Sequence, residues 1–244
     1  MRLVSYNIRF GGEGRLAFLG AVLAHLEPDV VLLQEATDPI AVDRIAHAAG
    51  LGHVYRRPGW TVAALSRDAL VGHEWHRPGR SRGFVEVIPA GSPHIRLVGL
   101  HLPAGMSARG ERARLRSVDT LIEWAGGAAD DNTVLMGDLN SVARGDVPSV
   151  RQMPLWLRLL LRFDGGIRTD VQDTLAAAGW TDAFRHLHPG DPGFTLPAVS
   201  PQVRLDYTLV PAGLIDVVRA CAPAIDAPMV SRASDHLPLV TDIG

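Results

Sequence analysis

Three short polar segments border runs of apolar residues, and together their side chains could carry out chemistry on a charged substrate. The sequence GDLN at residues 137–140 follows an apolar run, SDH at residues 234–236 precedes one, and Glu35 ends a third. Carboxylates, carboxamides and a histidine are costly to place at the ends of buried strands unless another group pairs with them. A divalent metal ion and a phosphate would both do so. The pattern therefore favours a metal-dependent phosphoesterase.

Length and composition set broad limits on what the chain can be. It has 244 residues, of which 47% are hydrophobic and 20% are charged, values typical of a soluble globular protein. The formal net charge of −2 does not support tight non-specific binding to duplex nucleic acid, although it is compatible with a locally basic cleft. The single cysteine, Cys221, excludes an internal disulfide and permits a reducing compartment.

The first residues and the hydropathy pattern predict a cytoplasmic protein. Residues 3–7 already alternate like a strand, and no apolar segment typical of a secretory signal precedes them. No run approaches the roughly 18 consecutive apolar residues that a membrane-spanning helix requires. We therefore expect no stable insertion into a membrane.

Strand-like and helix-like runs alternate through most of the chain, which predicts an α/β fold in a single domain over residues 1–244. Asp38 suits a helix N-cap, Pro39 suits the first helical position, and Gly50 suits the end of that helix. The pattern predicts helices at residues 16–26, 39–50, 109–125 and 170–178, and strands at residues 2–8, 29–34, 61–66, 83–88, 94–101, 133–137, 203–210, 215–221 and 237–242.

Residues 142–168 fit this alternation least well. Within them, residues 154–163 are mostly apolar, and Arg158 and Arg162 share one helical face. The pattern favours a helix packed on the body with its arginines in solvent. The alternative is an interfacial helix that covers the substrate or makes peripheral contact with lipid.

The motifs, taken in order, resemble those of the endonuclease/exonuclease/phosphatase superfamily, which has the DNase I-like fold. The resemblance covers essentially the whole chain and identifies the superfamily well but the substrate poorly. It implies a four-layered α/β sandwich in which two face-to-face, mostly antiparallel β-sheets are flanked by helices, with the active site at one edge. The matching motifs are SYN at residues 5–7, LQE at 33–35, GLH at 99–101, GDLN at 137–140, RLDY at 204–207 and SDHLP at 234–238.

The resemblance also implies a metal site built from oxygen donors. Mg²⁺ is a hard cation that keeps several waters and is usually held by one or two carboxylates plus substrate phosphate. Glu35 is the first candidate for a direct ligand, Asn7 offers a carboxamide oxygen to metal or water, and Asp235 would supply a second carboxylate. The expected cofactor is Mg²⁺, with Mn²⁺ as a substitute. The alternatives are an exposed strand-end glutamate for Glu35 and a turn asparagine for Asn7.

Asp138 and Asn140 are the candidates for handling the attacking water. They flank Leu139, so both point to one face of an extended segment while Leu139 points to the core. This spacing lets Asp138 accept a proton from water while Asn140 orients the water or touches the phosphate. Taken alone, the motif would be equally typical of a turn.

Two histidines are candidates for contacts with the phosphate. His236 needs a partner to hold its tautomer, and Asp206 is the candidate that matches the family; a carboxylate on one ring nitrogen would let the other donate to a phosphate oxygen. In the family, the position of His101 carries a histidine or tyrosine that contacts the phosphate. The alternative for His236 is a buried structural histidine whose ring nitrogens are hydrogen-bonded. The alternative for Asp206 is a salt bridge with Arg204, and the alternative for His101 is a histidine at the end of a strand with no special role.

Two groups of arginines could steer phosphate toward a cleft. Helical spacing places Arg109, Arg112 and Arg116 on one face, where a solvated surface is the more common explanation. Arg77, Arg80 and Arg82 form a loop cluster that is open to the same two interpretations.

We predict an Mg²⁺-dependent hydrolase that cleaves phosphodiester bonds by in-line attack of water, as a nuclease acting on DNA or RNA. The alternative is a phosphatase or phosphodiesterase for a small or lipid-linked phosphoester, such as an inositol phosphate or a phospholipid headgroup. A non-catalytic binding module would need at least one broken catalytic position, and none is broken. The predicted partner is a nucleic acid or other phosphoester substrate, and no protein partner is predicted.

Overall fold

In the computed structural model, which describes residues 1–77, 82–105, 107–146 and 166–244, the strands form two six-stranded sheets. The strands are β1 Arg2–Asn7, β2 Val30–Gln34, β3 His53–Tyr55, β4 Val62–Ser66, β5 Gly72–His76, β6 Phe84–Ile88, β7 Arg96–His101, β8 Thr133–Asp138, β9 Trp180–Asp182, β10 Asp206–Pro211, β11 Val218–Pro223 and β12 Leu239–Ile243. The helices of the described ranges are α1 Leu16–Leu26, α2 Pro39–Ala49, α3 Ala108–Trp124, α4 Asp170–Ala177, α5 Ala183–Leu187, α6 Ala212–Ile215 and α7 Val230–Ala233.

Each sheet has one parallel pair of strands near its centre, and all its other pairs among the described strands are antiparallel. The first sheet has the order β11-β12-β1-β2-β4-β3, and the second has the order β5-β6-β7-β8-β10-β9. The parallel pairs are β1 with β2 and β7 with β8. Parallel neighbours end at the same edge of a sheet, so Asn7 lies beside Gln34 and His101 lies beside Asp138.

Three apolar clusters between the layers explain why the central strands are buried on both faces. The first joins the two sheets through residues such as Leu32, Leu97 and Met136. The other two pack helices on the outer faces, α1 and α2 against the first sheet, and α3 and α4 against the second. Burial of each large apolar side chain stabilises the fold by about 1.5–3 kcal/mol relative to exposure. The predicted four-layered, mostly antiparallel sandwich is therefore confirmed.

The predicted start and end of α2 are also confirmed. Asp38 accepts a hydrogen bond from the Ile40 N–H at 2.9 Å, Pro39 opens the helix, and Gly50 ends it with a φ of 69°. The side chain of Ser107 caps α3 in the same way, by accepting from the Gly110 N–H.

Some predicted boundaries were wrong, and three strands were missed. The strand predicted at residues 203–210 begins at Asp206, because the Leu205 N–H donates to the Thr195 hydroxyl instead of to a neighbouring strand. The missed strands are β3, β5 and β9, and β5 has a polar, half-exposed sequence with little alternation. Residues 154–163, predicted as a packed helix or an interfacial one, lie outside the described residues. The same holds for Arg80, one member of the arginine loop cluster.

Gly137, inside β8, is a position where the fold depends on the absence of a side chain. A Cβ atom there would lie 2.0 Å from the carbonyl oxygen of Leu100 on β7. Because backbone atoms in a central sheet cannot easily move aside, we expect Gly137→Ala to lower the free energy of unfolding by about 1–3 kcal/mol. Urea unfolding measures this, with Gly91→Ala as the control, since a Cβ at Gly91 meets no atom within 4 Å. Equal transition midpoints for the two variants would contradict the expectation.

Candidate active site at the ends of the central strands

Asn7, the last residue of β1, joins the two sheets at this edge. Its side chain is fully buried, and its Nδ2 donates to Glu35 Oε1 at 3.2 Å and to Asp138 Oδ2 at 2.9 Å. Its Oδ1 accepts a hydrogen bond from the Arg9 N–H at 2.9 Å. The amide donor therefore faces two carboxylates from different sheets and holds them on the same side of the sandwich.

Glu35 follows β2 in a left-handed conformation, with a φ of 55°. Its Oε2 accepts a hydrogen bond from the Phe10 N–H at 2.7 Å. Partial burial raises the pKa of Glu35, but hydrogen bonds from the Phe10 N–H and the Asn7 amide outweigh it, so the net pKa lies below the ordinary value. Glu35 is thus an ionised carboxylate held at the end of its strand, and not a free loop residue.

Asp138 and Asp206 face one another as cross-strand neighbours on β8 and β10. Both are buried, and burial followed by the charge of Asp206 raises the pKa of Asp138 to about 7. Asp138 accepts from the Asn140 N–H at 2.9 Å and from Asn140 Nδ2 at 3.2 Å. Two buried carboxylates in such proximity repel one another unless cationic groups lie beside them.

His236 supplies one such cationic group. Its Nδ1 lies 2.8 Å from Asp206 Oδ2. Burial lowers the pKa of His236, but the charge of Asp206 and its hydrogen bond outweigh this and raise the pKa to about 10. The segment is fixed by Ser234, whose hydroxyl donates to the Asn7 carbonyl oxygen at 2.7 Å and accepts from the His236 N–H. The contact between His236 and Asp206 is the one that the sequence motifs indicated.

His101, the last residue of β7, approaches Asp138 from the other side. Its Nε2 lies 4.0 Å from Asp138 Oδ2, and Nε2 of His236 lies 3.9 Å from the same oxygen. Burial, followed by the charge of Arg82, lowers the pKa of His101 to about 4, so this imidazole is neutral near pH 7. Both distances exceed hydrogen-bond range. Both rings therefore lie close to the same Asp138 oxygen without a direct hydrogen bond to it.

The side chains of residues 138–140 are placed as predicted, but the backbone is not extended throughout, because it turns at Asn140. Leu139 is only 1% exposed and packs in the core, while Asn140 lies beside Asp138 with a φ of 48°. Asn140 Nδ2 also donates to the Leu102 carbonyl oxygen at 3.1 Å, which ties the segment to the residues after His101.

Asp235 lies at the periphery of this group. Its Oδ2 is 3.3 Å from Arg9 Nε, and its Oδ1 accepts from the Ser234 hydroxyl. Its side chain is about one third exposed, in contrast to Asp138 and Asp206. Asp235 is therefore paired with a guanidinium in this structure.

The donor atoms at the site fit a hard divalent cation. Asp138, Asp206 and His236 offer ligand atoms within 4.8 Å of one another. A protonated imidazole has no free lone pair, so the carboxylates are the better donors, and Asp206 Oδ1 is buried with no hydrogen-bond partner within the described ranges. Oxygen donors of this kind suit Mg²⁺ or Mn²⁺. Asn7, in contrast, would have to present its oxygen instead of its NH2 group.

A second cluster of possible ligands, Glu74, His76 and Glu86, lies on the edge strand β5 and its neighbour β6. His76 Nε2 is 2.8 Å from Glu86 Oε2, and Arg96 Nη1 is 3.6 Å from Glu86 Oε1. These groups satisfy one another and are half exposed or exposed, so they have the character of a surface ion-pair network.

One buried network beside the site was missed from the sequence. Arg204 is fully buried and donates to Asp146 and Asp182, so its predicted alternative pairing with Asp206 is wrong. The Tyr207 hydroxyl donates to the Arg204 carbonyl oxygen and accepts from the Ala143 N–H, both at 3.1 Å. The network therefore fastens the segment that follows Asn140 to β10. A buried arginine requires acidic partners, but the sequence does not reveal which distant acids supply them.

Comparison with known proteins gives both a family and a fold. The sequence profile of the Endonuclease/Exonuclease/phosphatase family matches residues 4–236, nearly the whole chain. None of the curated proteins compared with the chain matches it. In the described part of the chain, no helix has the length and apolar character needed to cross a membrane.

Several solved structures share the fold over their whole length. An AP endonuclease from Archaeoglobus fulgidus is 19% identical, with a TM-score of 0.78. A 3′ phosphatase, NExo, from Neisseria, bound to a product DNA hairpin, is 17% identical with a TM-score of 0.73, and the 3′-5′ exonuclease NExo from Neisseria meningitidis is 18% identical with a TM-score of 0.72. Each alignment covers 100% of this chain and 99% of the other. At these identities the likeness establishes the fold alone.

Proposed function

The chain belongs to the endonuclease/exonuclease/phosphatase family of phosphoester hydrolases, and we propose that it is a divalent-metal-dependent nuclease acting on DNA or RNA. One observation carries the proposal. Polar residues that end strands of both sheets converge at one edge, where Asn7 bonds to Glu35 and Asp138 while two histidines flank the same oxygen of Asp138. The choice of nucleic acid is supported by the product DNA hairpin bound to the similar Neisseria 3′ phosphatase and by the similar AP endonuclease from Archaeoglobus fulgidus.

His236 and His101 are the proposed phosphate contacts. Asp206 holds the His236 ring through Nδ1 and keeps it charged, so Nε2 can donate to a phosphoryl oxygen where negative charge accumulates. His101 is neutral and can add a hydrogen-bond contact without adding charge. The two side chains together orient the phosphate and stabilise its transition-state charge.

Asp138 is the proposed general base. Its carboxylate is held by Asn7 and Asn140, and its Oδ2 lies nearest to the space between the two histidines. In the proposed reaction, Asp138 accepts the proton of the attacking water as the new P–O bond forms and the P–O bond opposite breaks. Asn140 keeps the carboxylate oriented during this transfer.

The proposed metal ligand is Glu35, with Asn7 and Asp235 as further candidate oxygen donors, both of which would have to exchange their present partners for the metal. When bound, a divalent cation would supply positive charge to the phosphate and to the leaving oxygen. In this structure Glu35 is held by the Phe10 N–H and by Asn7, while Asp235 is paired with Arg9. Mg²⁺ is the expected ion, and Mn²⁺ is expected to substitute for it.

Removal of divalent cations is expected to lower the rate of oligonucleotide cleavage at least 100-fold, and added Mg²⁺ is expected to restore it. Mg²⁺ should also raise the melting temperature of the protein, because an ion that binds only the native state stabilises it. The measurements are cleavage of labelled oligonucleotides after dialysis against EDTA, and thermal unfolding with and without Mg²⁺. Full activity of the metal-free protein would contradict metal dependence, and Glu35→Gln should lose the thermal shift.

The alternative substrate class is a small or lipid-linked phosphoester. Its support was the apolar segment at residues 154–163, which lies outside the described residues. Within the described part of the chain, no feature of the site favours such a substrate over nucleic acid.

A further inference from the structure

A groove of about 550 Å³ opens beside the candidate active site, between the residues that precede β6 and one face of α3. Arg82 and Arg116 line it, together with Ser117, Asp119 and Thr120. A narrower recess shares Arg82 and Ser117 with this groove and reaches His101. His101, one of the proposed phosphate contacts, therefore lies one recess away from the groove.

The two arginines make the groove suitable for an anion. Both are exposed, and within the described residues neither guanidinium forms an ion pair. The charge of Arg82 also acts on His101, which places it near the active site. Asp119 is the acidic residue of the lining, so the balance of charge is positive.

The hydroxyl groups of the lining do not compete with the arginines as donors. Ser117 donates its hydroxyl hydrogen to the Ala113 carbonyl oxygen at 3.2 Å, and Thr120 donates to the Arg116 carbonyl oxygen at 2.6 Å. Guanidinium groups are therefore the main donors that face the groove, and their planar geometry matches phosphate oxygens.

Only some of the arginines that were grouped by sequence line the groove. Arg109 and Arg112 are exposed on α3 but do not line the groove. Arg77 donates to the Gly59 carbonyl oxygen at 3.1 Å and lies 4.3 Å from the centre of the Trp60 ring. Of these five arginines, Arg82 and Arg116 are thus the pair placed to bind a common ligand.

We propose that Arg82 and Arg116 bind a second phosphate of the substrate, next to the phosphate that is cleaved. This inference rests on the proposed nuclease function and sharpens it, since it requires a substrate that carries at least two phosphates. A polynucleotide strand meets that requirement, whereas a phosphoester with a single phosphate does not. Phosphate contacts of this kind position the strand and do not read its sequence.

Binding measurements on charge-neutralised variants test the proposal. In a His236→Asn background, which slows turnover, and without added divalent metal, Arg82→Gln and Arg116→Gln are each expected to weaken binding of a fluorescent oligonucleotide about fivefold. The slope of log K against log salt should fall by roughly one for each arginine removed. Asp119→Asn should have the opposite effect and tighten binding, because it removes the negative charge of the groove.

Arg112→Gln is the matched control, since it removes the same charge from the same helix outside the groove. The inference is supported if the two groove variants weaken binding and reduce the salt slope more than this control does. It is overturned if all three variants behave alike while the parent protein still cleaves oligonucleotides, a result that would leave the nuclease function standing. A folded parent protein that neither binds nor cleaves oligonucleotides would overturn the proposed function and this inference with it.

Discussion

Asp138→Asn is expected to lower kcat for oligonucleotide cleavage by roughly 10²- to 10⁴-fold, the range typical of losing a positioned general base. An asparagine cannot accept the proton of the attacking water at this position. The fold should survive, because the side chain keeps its shape and a carbonyl oxygen that can accept from Asn7 or Asn140. Removal of a buried charge beside Asp206 should leave the melting temperature unchanged or raised.

The control for this variant is Asp131→Asn, the same substitution at an exposed position just before β8. Steady-state kinetics and thermal unfolding should be measured for both variants. Wild-type kcat in a folded, metal-loaded Asp138→Asn protein would rule out Asp138 as the general base. A lowered kcat that accompanies a lowered melting temperature would show a structural role instead.

His236→Asn is expected to lower kcat by about 10²- to 10³-fold, because the donor to the developing phosphate charge is lost. Asparagine is preferred to alanine, since its amide can still donate to Asp206 in place of Nδ1. Alanine would leave Asp206 buried without this partner, which typically costs 3–5 kcal/mol. Asp206→Asn should reduce kcat by a smaller factor, because Asp206 does not touch the phosphate and acts mainly through the orientation and charge of His236.

His94→Ala serves as the control, since His94 is exposed and lies before β7, away from the site. Kinetic constants and circular dichroism spectra should be compared for the three variants and the parent protein. The parent protein and His94→Ala are expected to have the same, highest kcat. Asp206→Asn should have a lower kcat, and His236→Asn the lowest. An Asp206→Asn protein that is folded and slower than His236→Asn would contradict a role confined to holding His236.

The motifs could be assigned from sequence because strand ends are visible in it. Each candidate residue follows or precedes an apolar run, and parallel neighbours in a sheet end at the same edge. The resemblance to the family, in turn, is why Glu35, Asp138 and His101, which are distant in sequence, could be expected at one edge of the sandwich. The partnership of His236 with Asp206 came from the family motifs and is present as a 2.8 Å contact.

Other parts of the site depend on tertiary contacts that leave no local signal. The buried Arg204 pairs with Asp146, 58 residues away in sequence, whereas the sequence offered only the nearer Asp206, as an alternative partner. The pairing of Asp235 with Arg9 arises from the conformation of the loop after β1, where Arg9 has a φ of 51°. Short edge strands such as β5 were missed for a similar reason, because half-exposed strands need little alternation of apolar residues.

Cleavage of labelled nucleic acid in Mg²⁺ is the measurement that tests the proposed function most directly. Single-stranded, duplex and abasic-site DNA, and RNA, should be incubated with the parent protein, with EDTA, and with His236→Asn. We predict cleavage of at least one of these substrates that is lost both with EDTA and in the variant. No cleavage of any nucleic acid by a folded, metal-loaded protein would contradict the nuclease function, and cleavage that persists without metal and without His236 would contradict the proposed roles of the metal and of His236.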